Sequence, residues 1–322
     1  MCTTFAYKQN SNVYFGRNMD IDTGFGEKIV ITPRNHKYTY KNGDTISGDY
    51  AYFGIASVVA GVGLYAEAMN EKGLYVAGLN YPNNAFYGDA IDNKINLAPY
   101  ELIPFILSTC DNMELALEKI KQIQLVAIPF MDGLPLAPMH FFVSDGYKSI
   151  VIEPDVDGIK IYDNTIGVLT NNPPFPYQLY NLQNYGHLSI SNKNNHNFDD
   201  KEYKYYGEGL GMIGLPGDVS PVSRFTRAAI YKKHLESLET TINPISDVFH
   251  ILNNVLMIEG SVLTANNRMD ITRYSICYDV SNMCLYVKTY NYLQVYNYKL
   301  TSDNDELLVY ELNDSEHCAR YV

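Results

Sequence analysis

The chain opens MCTTFAYKQN (residues 1–10). A cysteine stands directly behind the initiator methionine, at the head of a stretch that alternates like a β-strand. Residues 3–8 and 12–17 flank a Gln-Asn-Ser turn, so this opening is expected to be a hairpin. As packing, Cys2 is a buried strand start. As chemistry, it is the first residue of the working protein once Met1 is removed, which its small side chain permits. Its α-amine then sits beside its own thiol. Reference pKa values of about 7.7–8.0 for the amine and about 8.5 for the thiol let the amine take the thiol proton near neutral pH. One residue then supplies both nucleophile and general base. With Met1 retained, the same nitrogen is an amide and has no basicity.

The hairpin also carries F-G-R-N-M-D (15–20) back beside the N-terminus. A guanidinium at Arg17 favours a thiolate, and the Asp20 carboxylate is suited to accept a hydrogen bond from the amine. The competing reading is an ordinary ion pair between two residues three apart.

The 322 residues suit one large domain or two ordinary ones. The formal charge of −12, with no basic run, argues against a nucleic-acid partner. No apolar stretch reaches the ~18–20 residues of a membrane helix, and the start lacks a signal-peptide pattern. The expectation is a cytoplasmic protein with no membrane partner. Cysteines stand at 2, 110, 277, 284 and 318, an odd number with no C-x-x-C pair. That disfavours a disulfide framework or a zinc site. Cys277 and Cys284 read as buried free thiols beside a hairpin turn. The 29 tyrosines fit half-buried strands whose rings pack while their hydroxyls stay wet.

Further strands are expected over 28–32, 50–58, 63–69 and 74–80, the last two joined by Asn-Glu-Lys-Gly. Helices follow over 99–108 and 112–122, the second opened by a capping-box pattern at 111–114. Strands return at 140–144, 149–153 and 159–162, then helices at 177–185, 221–238 and 244–256. The C-terminal strands are 272–279, 283–290, 293–299 and 307–312. Residues 189–206, rich in Asn, Lys, His and Asp, read as a solvated loop. Strands in hairpin blocks and helices in groups point to an α+β fold, an αββα sandwich of two antiparallel sheets between helical layers. Residues 1–322 are read as a single domain.

Other motifs carry little. Gly209, Gly211 and Gly214 match G-x-G-x-x-G, but no strand precedes them, so a dinucleotide site is disfavoured. The seven histidines show no metal-ligand spacing; His140 and His250 read as structural or surface residues. No G-x-S-x-G occurs. The sequon at 313–315 has meaning only in a secreted chain.

M-C-T-T and F-G-R-N-M-D together resemble the choloylglycine hydrolase family of N-terminal-nucleophile enzymes, which includes bile salt hydrolases and penicillin V acylases. The resemblance continues through N-E-K-G-L-Y-V-A-G-L-N-Y-P (70–82) and I-G-V-L-T-N-N-P (166–173). It resumes in G-L-P-G-D-V-S-P-V-S-R-F (214–225) and F-H-I-L-N-N-V (249–255), and so spans nearly the whole chain. It implies the αββα fold, a homotetramer, removal of Met1, and no metal or organic cofactor. It makes Cys2 the nucleophile, with Arg17 and Asp20 around it. Asn171 matches the oxyanion-hole residue, Asn80 the other active-site asparagine and Arg224 the remaining arginine, placed to orient Asn171 or Arg17.

Within the family, Asn at position 80 resembles the bile-salt branch; the tyrosine of the penicillin branch appears one place later, at Tyr81, on the opposite face of a strand. The expected substrate is therefore a bile acid joined to glycine or taurine. A steroid needs an apolar trough, and the expected walls are Ile21 and Phe25, Val58 and Tyr65, and Ile128, Phe130, Leu134 and Leu136. Penicillin V or another N-acyl amide is the rival substrate. A catalytically inactive ligand-binding homologue is the rival of another class.

Overall fold

Alternating apolar positions and short turns give fourteen strands that build two large sheets. In chain order they are β1 (Cys2–Gln9), β2 (Asn12–Ile21), β3 (Glu27–Thr32), β4 (Tyr52–Val59), β5 (Val62–Asn70), β6 (Tyr75–Asn80) and β7 (Met139–Ser144). Then come β8 (Ser149–Asp155), β9 (Gly158–Asp163), β10 (Val168–Leu169), β11 (Ile271–Asp279), β12 (Cys284–Thr289), β13 (Tyr296–Lys299) and β14 (Leu308–Glu311). The helices are α1 (Leu102–Thr109), α2 (Met113–Ile120), α3 (Phe175–Leu182), α4 (Pro221–Glu236) and α5 (Pro244–Asn254). This computed structural model describes residues 1–192, 196–300 and 306–312. The sequon at 313–315 and Cys318 lie outside them.

The first sheet runs β10-β1-β2-β11-β12-β13, and the second β9-β8-β7-β6-β5-β4-β3-β14. Both are antiparallel throughout. Helices α4 and α5 cover the outer face of the first sheet at β1 and β2, and α1 covers the second at β5 and β6. The layers are helix, sheet, sheet, helix, as the αββα expectation requires. One core cluster joins Phe15 and Tyr278 of the first sheet to Phe53 and Tyr75 of the second. A second lies between the outer face of the second sheet and α1 and α2.

The β1–β2 hairpin turns at Asn10 and Ser11, with Gln9 opposite Asn12. Asn10 takes φ +57°, a left-handed conformation that Asn tolerates. The turn after β5 closes with Gly73 at φ +83°, where a side chain would be strained. Asn70 accepts hydrogen bonds from Lys72 N and Leu74 N across it.

The tyrosines differ from expectation. Between the sheets their rings are fully buried and their hydroxyls bond to protein groups. Tyr75 OH pairs with Thr4 Oγ1 at 3.1 Å, Tyr274 OH with Glu67 at 3.0 Å, and Tyr278 OH with Phe53 O at 3.4 Å. Burying a hydroxyl is tolerable only with such a partner.

Smaller corrections follow from local chemistry. The cap of α2 is Asn112, whose side chain accepts from Leu115 N, so the cap lies one residue beyond the start of the expected box. Helix α3 starts earlier, at Phe175, and ends in a short 3₁₀ turn, Gln183–Tyr185. The 189–206 segment holds a small hairpin, His196–Phe198 with Lys201–Tyr203, because antiparallel pairing satisfies its backbone groups. Cys277 is buried as expected, whereas Cys284 is partly exposed.

Candidate active site

Strand parity distributes the chemistry around Cys2. In β2, successive side chains face opposite sides of the sheet. Arg17 therefore points toward the second sheet, while Asp20 points toward α4. The two do not pair with each other. Each has a buried partner of its own: Arg17 Nε lies 3.0 Å from Glu67 Oε2, and Asp20 Oδ2 lies 3.6 Å from Arg224 Nη1. All four side chains are fully buried. Cys2 pairs with Met19 at the end of the hairpin, between the two ion pairs.

On the sulfur side, Arg17 Nη2 lies 3.5 Å from Cys2 Sγ and donates to Gly78 O at 2.7 Å. Its Nη1 donates to Ala66 O at 3.1 Å. That carbonyl is available because β5 is bulged. Glu67 stands opposite Ile55 and Tyr65 opposite Ala56, leaving Ala66 unpaired. The bulge aims Glu67 between the sheets, where Tyr274 OH donates to both its oxygens at 3.0 Å. Burial pushes Glu67 up to about 7, with Arg17 and the Tyr274 hydroxyl pulling the other way. Burial also works against the Arg17 charge, but Glu67, Cys2, Tyr274 and Tyr75 together outweigh it and keep Arg17 protonated.

Gly54 makes room for this bulge. A Cβ there would lie 2.0 Å from Glu67 O and 2.7 Å from Ala68 Cα. Gly54→Ala is expected to destabilise the protein by about 1–3 kcal/mol through overpacking, seen as a lower urea midpoint at unchanged slope. A midpoint equal to the parent's would refute this.

On the nitrogen side, Cys2 N donates to Asn171 Oδ1 at 2.7 Å. Arg224 Nη2 donates to the same oxygen at 2.9 Å, and its Nη1 to Cys2 O at 2.5 Å and Thr3 Oγ1 at 2.6 Å. Arg224 thus orients Asn171 and the cysteine backbone. Burial raises the Asp20 carboxyl above its ordinary range, against the pull of Arg224, the terminal amine and the Thr272 hydroxyl. Thr272 Oγ1 donates to Asp20 Oδ1 at 2.5 Å. The Met1 amine lies 3.3 Å from Asp270 Oδ2 and donates to Asp20 O.

The loop after β10 brings Asn171 in. Thr170 Oγ1 donates to Gln178 Oε1 at 2.8 Å, and Gln178 Nε2 donates to Asn171 O at 2.5 Å. His140 Nε2 lies 2.8 Å from Thr170 O and bonds there as the donor. Asn171 Nδ2 donates to Asn80 O at 2.7 Å, which places the end of β6 beside the cysteine. Asn80 itself is exposed. Tyr81 is turned away, stacked on His140 at 4.3 Å between centroids.

The expected walls divide. Ile21 and Phe25 are half-buried and pack on the core cluster that contains Cys2. Tyr65 is directed elsewhere: the bulge turns it to the outer face, against Tyr52 and Thr32, so it does not wall the space beside Cys2. Val58 is half-buried beside the same outer cluster. Phe130 packs edge-on against Tyr100 under the Lys41 ammonium. Ile128 and Leu136 are half-buried and Leu134 is exposed. Glu67, Tyr274, Thr272 and Asp270 were missed in the sequence. For Glu67 there was a signal, a lone carboxylate inside the apolar strand Gly63–Met69.

The description "linear amide C–N hydrolases, choloylglycine hydrolase family" matches this chain over residues 2–318. The chain belongs to that family. It is 40% identical over 315 residues to "Bile salt hydrolase/transferase" of Lactiplantibacillus plantarum, covering 97% of each chain. It is 34% identical over 316 residues to "Conjugated bile acid hydrolase" of Lactobacillus gasseri, covering 96% of this chain and all of that one. The crystal structure of the mutant C2A conjugated bile acid hydrolase from Clostridium perfringens matches with a TM-score of 0.92, 33% identity and 98% of each chain covered. Penicillin V acylase from Agrobacterium tumefaciens shares the fold, with a TM-score of 0.77 at 20% identity. The chain carries a cysteine at the start of its first strand. Among the described residues, no helix is long and apolar enough to cross a membrane.

Proposed function

We propose that this chain, after loss of Met1, hydrolyses the amide joining a bile acid to glycine or taurine, with Cys2 as nucleophile. The observation that carries the chemistry is the double hold on Cys2. Its nitrogen is fixed by Asn171 at 2.7 Å, and its sulfur faces the Arg17 guanidinium at 3.5 Å. The substrate class is supported by relatives of 34–40% identity whose names specify a bile salt or a conjugated bile acid.

Once Met1 leaves, Cys2 N becomes the terminal amine. It takes the thiol proton, and the sulfur bonds to the amide carbon. The carbonyl oxygen becomes an oxyanion. The amine passes its proton to the leaving nitrogen, the C–N bond breaks, and glycine or taurine departs. Water then gives a proton to the amine while its oxygen attacks the thioester carbon. The C–S bond breaks, the free bile acid leaves, and the sulfur recovers its proton.

The Asn171 side chain is already committed to Cys2 N, Arg224 and Asn80 O. The oxyanion donor at that position is therefore its backbone N–H, which has no acceptor among the described residues. The exposed Asn80 amide supplies the second donor. Each such donor is worth about 10²–10³ in rate. We read residues 1–322 as a single domain, acting in the cytoplasm as a homotetramer without metal or organic cofactor.

Parallel assays test the substrate. Glycocholate and taurocholate are expected to release their amino acids faster than penicillin V is cleaved, and the intact mass is expected to lack Met1. Faster cleavage of penicillin V would overturn the substrate. Full activity with Met1 retained would overturn the mechanism.

A further inference from the structure

Two carbonyls of the second sheet, Ala66 O and Gly78 O, already fix the position of the Arg17 guanidinium. Glu67 adds something they do not, a counter-charge at 3.0 Å inside a dry core. Tyr274 clamps that carboxylate through both oxygens. With Glu67 ionised the pair is neutral. A thiolate at Cys2 brings a second anion to the same guanidinium, 3.5 Å from Nη2. Arg17 then has two claimants for one positive charge.

We propose that Glu67, held by Tyr274, is a positioning residue that acts through Arg17: it divides the guanidinium's field between itself and the Cys2 sulfur, and so sets how readily the sulfur ionises. This goes beyond the assignment of Cys2 as nucleophile and rests on it. The other titratable groups facing the pair are Tyr75 and Tyr278, both fully buried. With Glu67 pushed up to about 7 by burial, its charge changes near neutral pH. Above that point the carboxylate competes for Arg17; below it the guanidinium faces the sulfur alone.

The test is alkylation of Cys2 by iodoacetamide, in which the sulfur displaces iodide. It is followed by the mass of the N-terminal peptide, so that the other cysteines do not interfere. At about pH 8, where Glu67 is charged, Glu67→Gln is expected to react roughly tenfold faster than the parent. At about pH 6, where Glu67 already carries its proton, the two rates are expected to agree to about a factor of two. A merely structural role would not give a difference that disappears on acidification. Equal or slower reaction at about pH 8 overturns the proposal. Should Glu67→Gln fail to fold, Tyr274→Phe decides. Losing the hydroxyl that favours the carboxylate is expected to speed the reaction about threefold at the same pH, and an equal or slower rate overturns the proposal. Hydrolysis by Cys2→Ala, run alongside, tests the nucleophile separately. Activity there would remove that assignment and leave the alkylation comparison intact.

Discussion

Cys2→Ala is expected to lower kcat/KM for glycocholate by at least about 10⁴, leaving only what substrate binding and the oxyanion donors supply. The alanine keeps the terminal amine and its contact with Asn171 but has no atom to form the thioester. Arg17 then faces a methyl group. The fold is expected to persist, since the C2A structure from Clostridium perfringens superposes on this chain with a TM-score of 0.92. Cys2→Ser is the sharper control. It keeps the geometry and replaces the thiol with a hydroxyl that the amine deprotonates far less readily. Its activity is expected to fall steeply too, without the acyl adduct that rapid quenching and mass analysis should detect on the parent. Substantial hydrolysis by the alanine variant would remove the sulfur from the mechanism.

Arg224→Ala is expected to cost about 3–5 kcal/mol of stability, because it strands the Asp20 carboxylate without its counter-charge. Both side chains are fully buried, so solvent cannot take over. The same change releases Asn171 Oδ1, Cys2 O and Thr3 Oγ1, so activity is expected to fall as well. Adding Asp20→Asn removes the stranded charge and is expected to restore a large part of the lost stability, but not the activity. Chemical unfolding of the two single variants and the double variant measures the coupling. Strict additivity would show that the pair does not act as a unit.

Much of the architecture was legible in the sequence because hairpins announce themselves through alternation and turn residues. The β1–β2 turn at Asn10 and the β5–β6 turn at Gly73 are both of this kind. The short pair Ile95–Leu97 with Ile123–Leu125 was not, since three-residue strands leave almost no periodic signal and parallel pairing has no turn. The separation of Arg17 from Asp20 follows from strand parity once β2 is known to run to Ile21. The positions of Asn80, Asn171 and Arg224 were legible only through family resemblance, because they lie on three elements far apart in sequence. Glu67 was hidden more deeply. Its partners stand on β2 and β11 of the other sheet, and a bulge at Ala66 decides which way it points. The same bulge sends Tyr65 to the outer face, against the simple period-two reading.

In the folded chain the Met1 amine is tied to Asp270 and the Asp20 carbonyl, which bears on when the leading residue can leave. An aminopeptidase needs a free, extended end to grip, and here Asp20 N of β2 donates to Met1 O at 2.8 Å. Under the proposed mechanism, removal of Met1 is expected to precede closure of these contacts. A molecule that closes its sheet first is expected to keep its leading residue longer, so slowing the fold is expected to raise the trimmed fraction seen by intact mass.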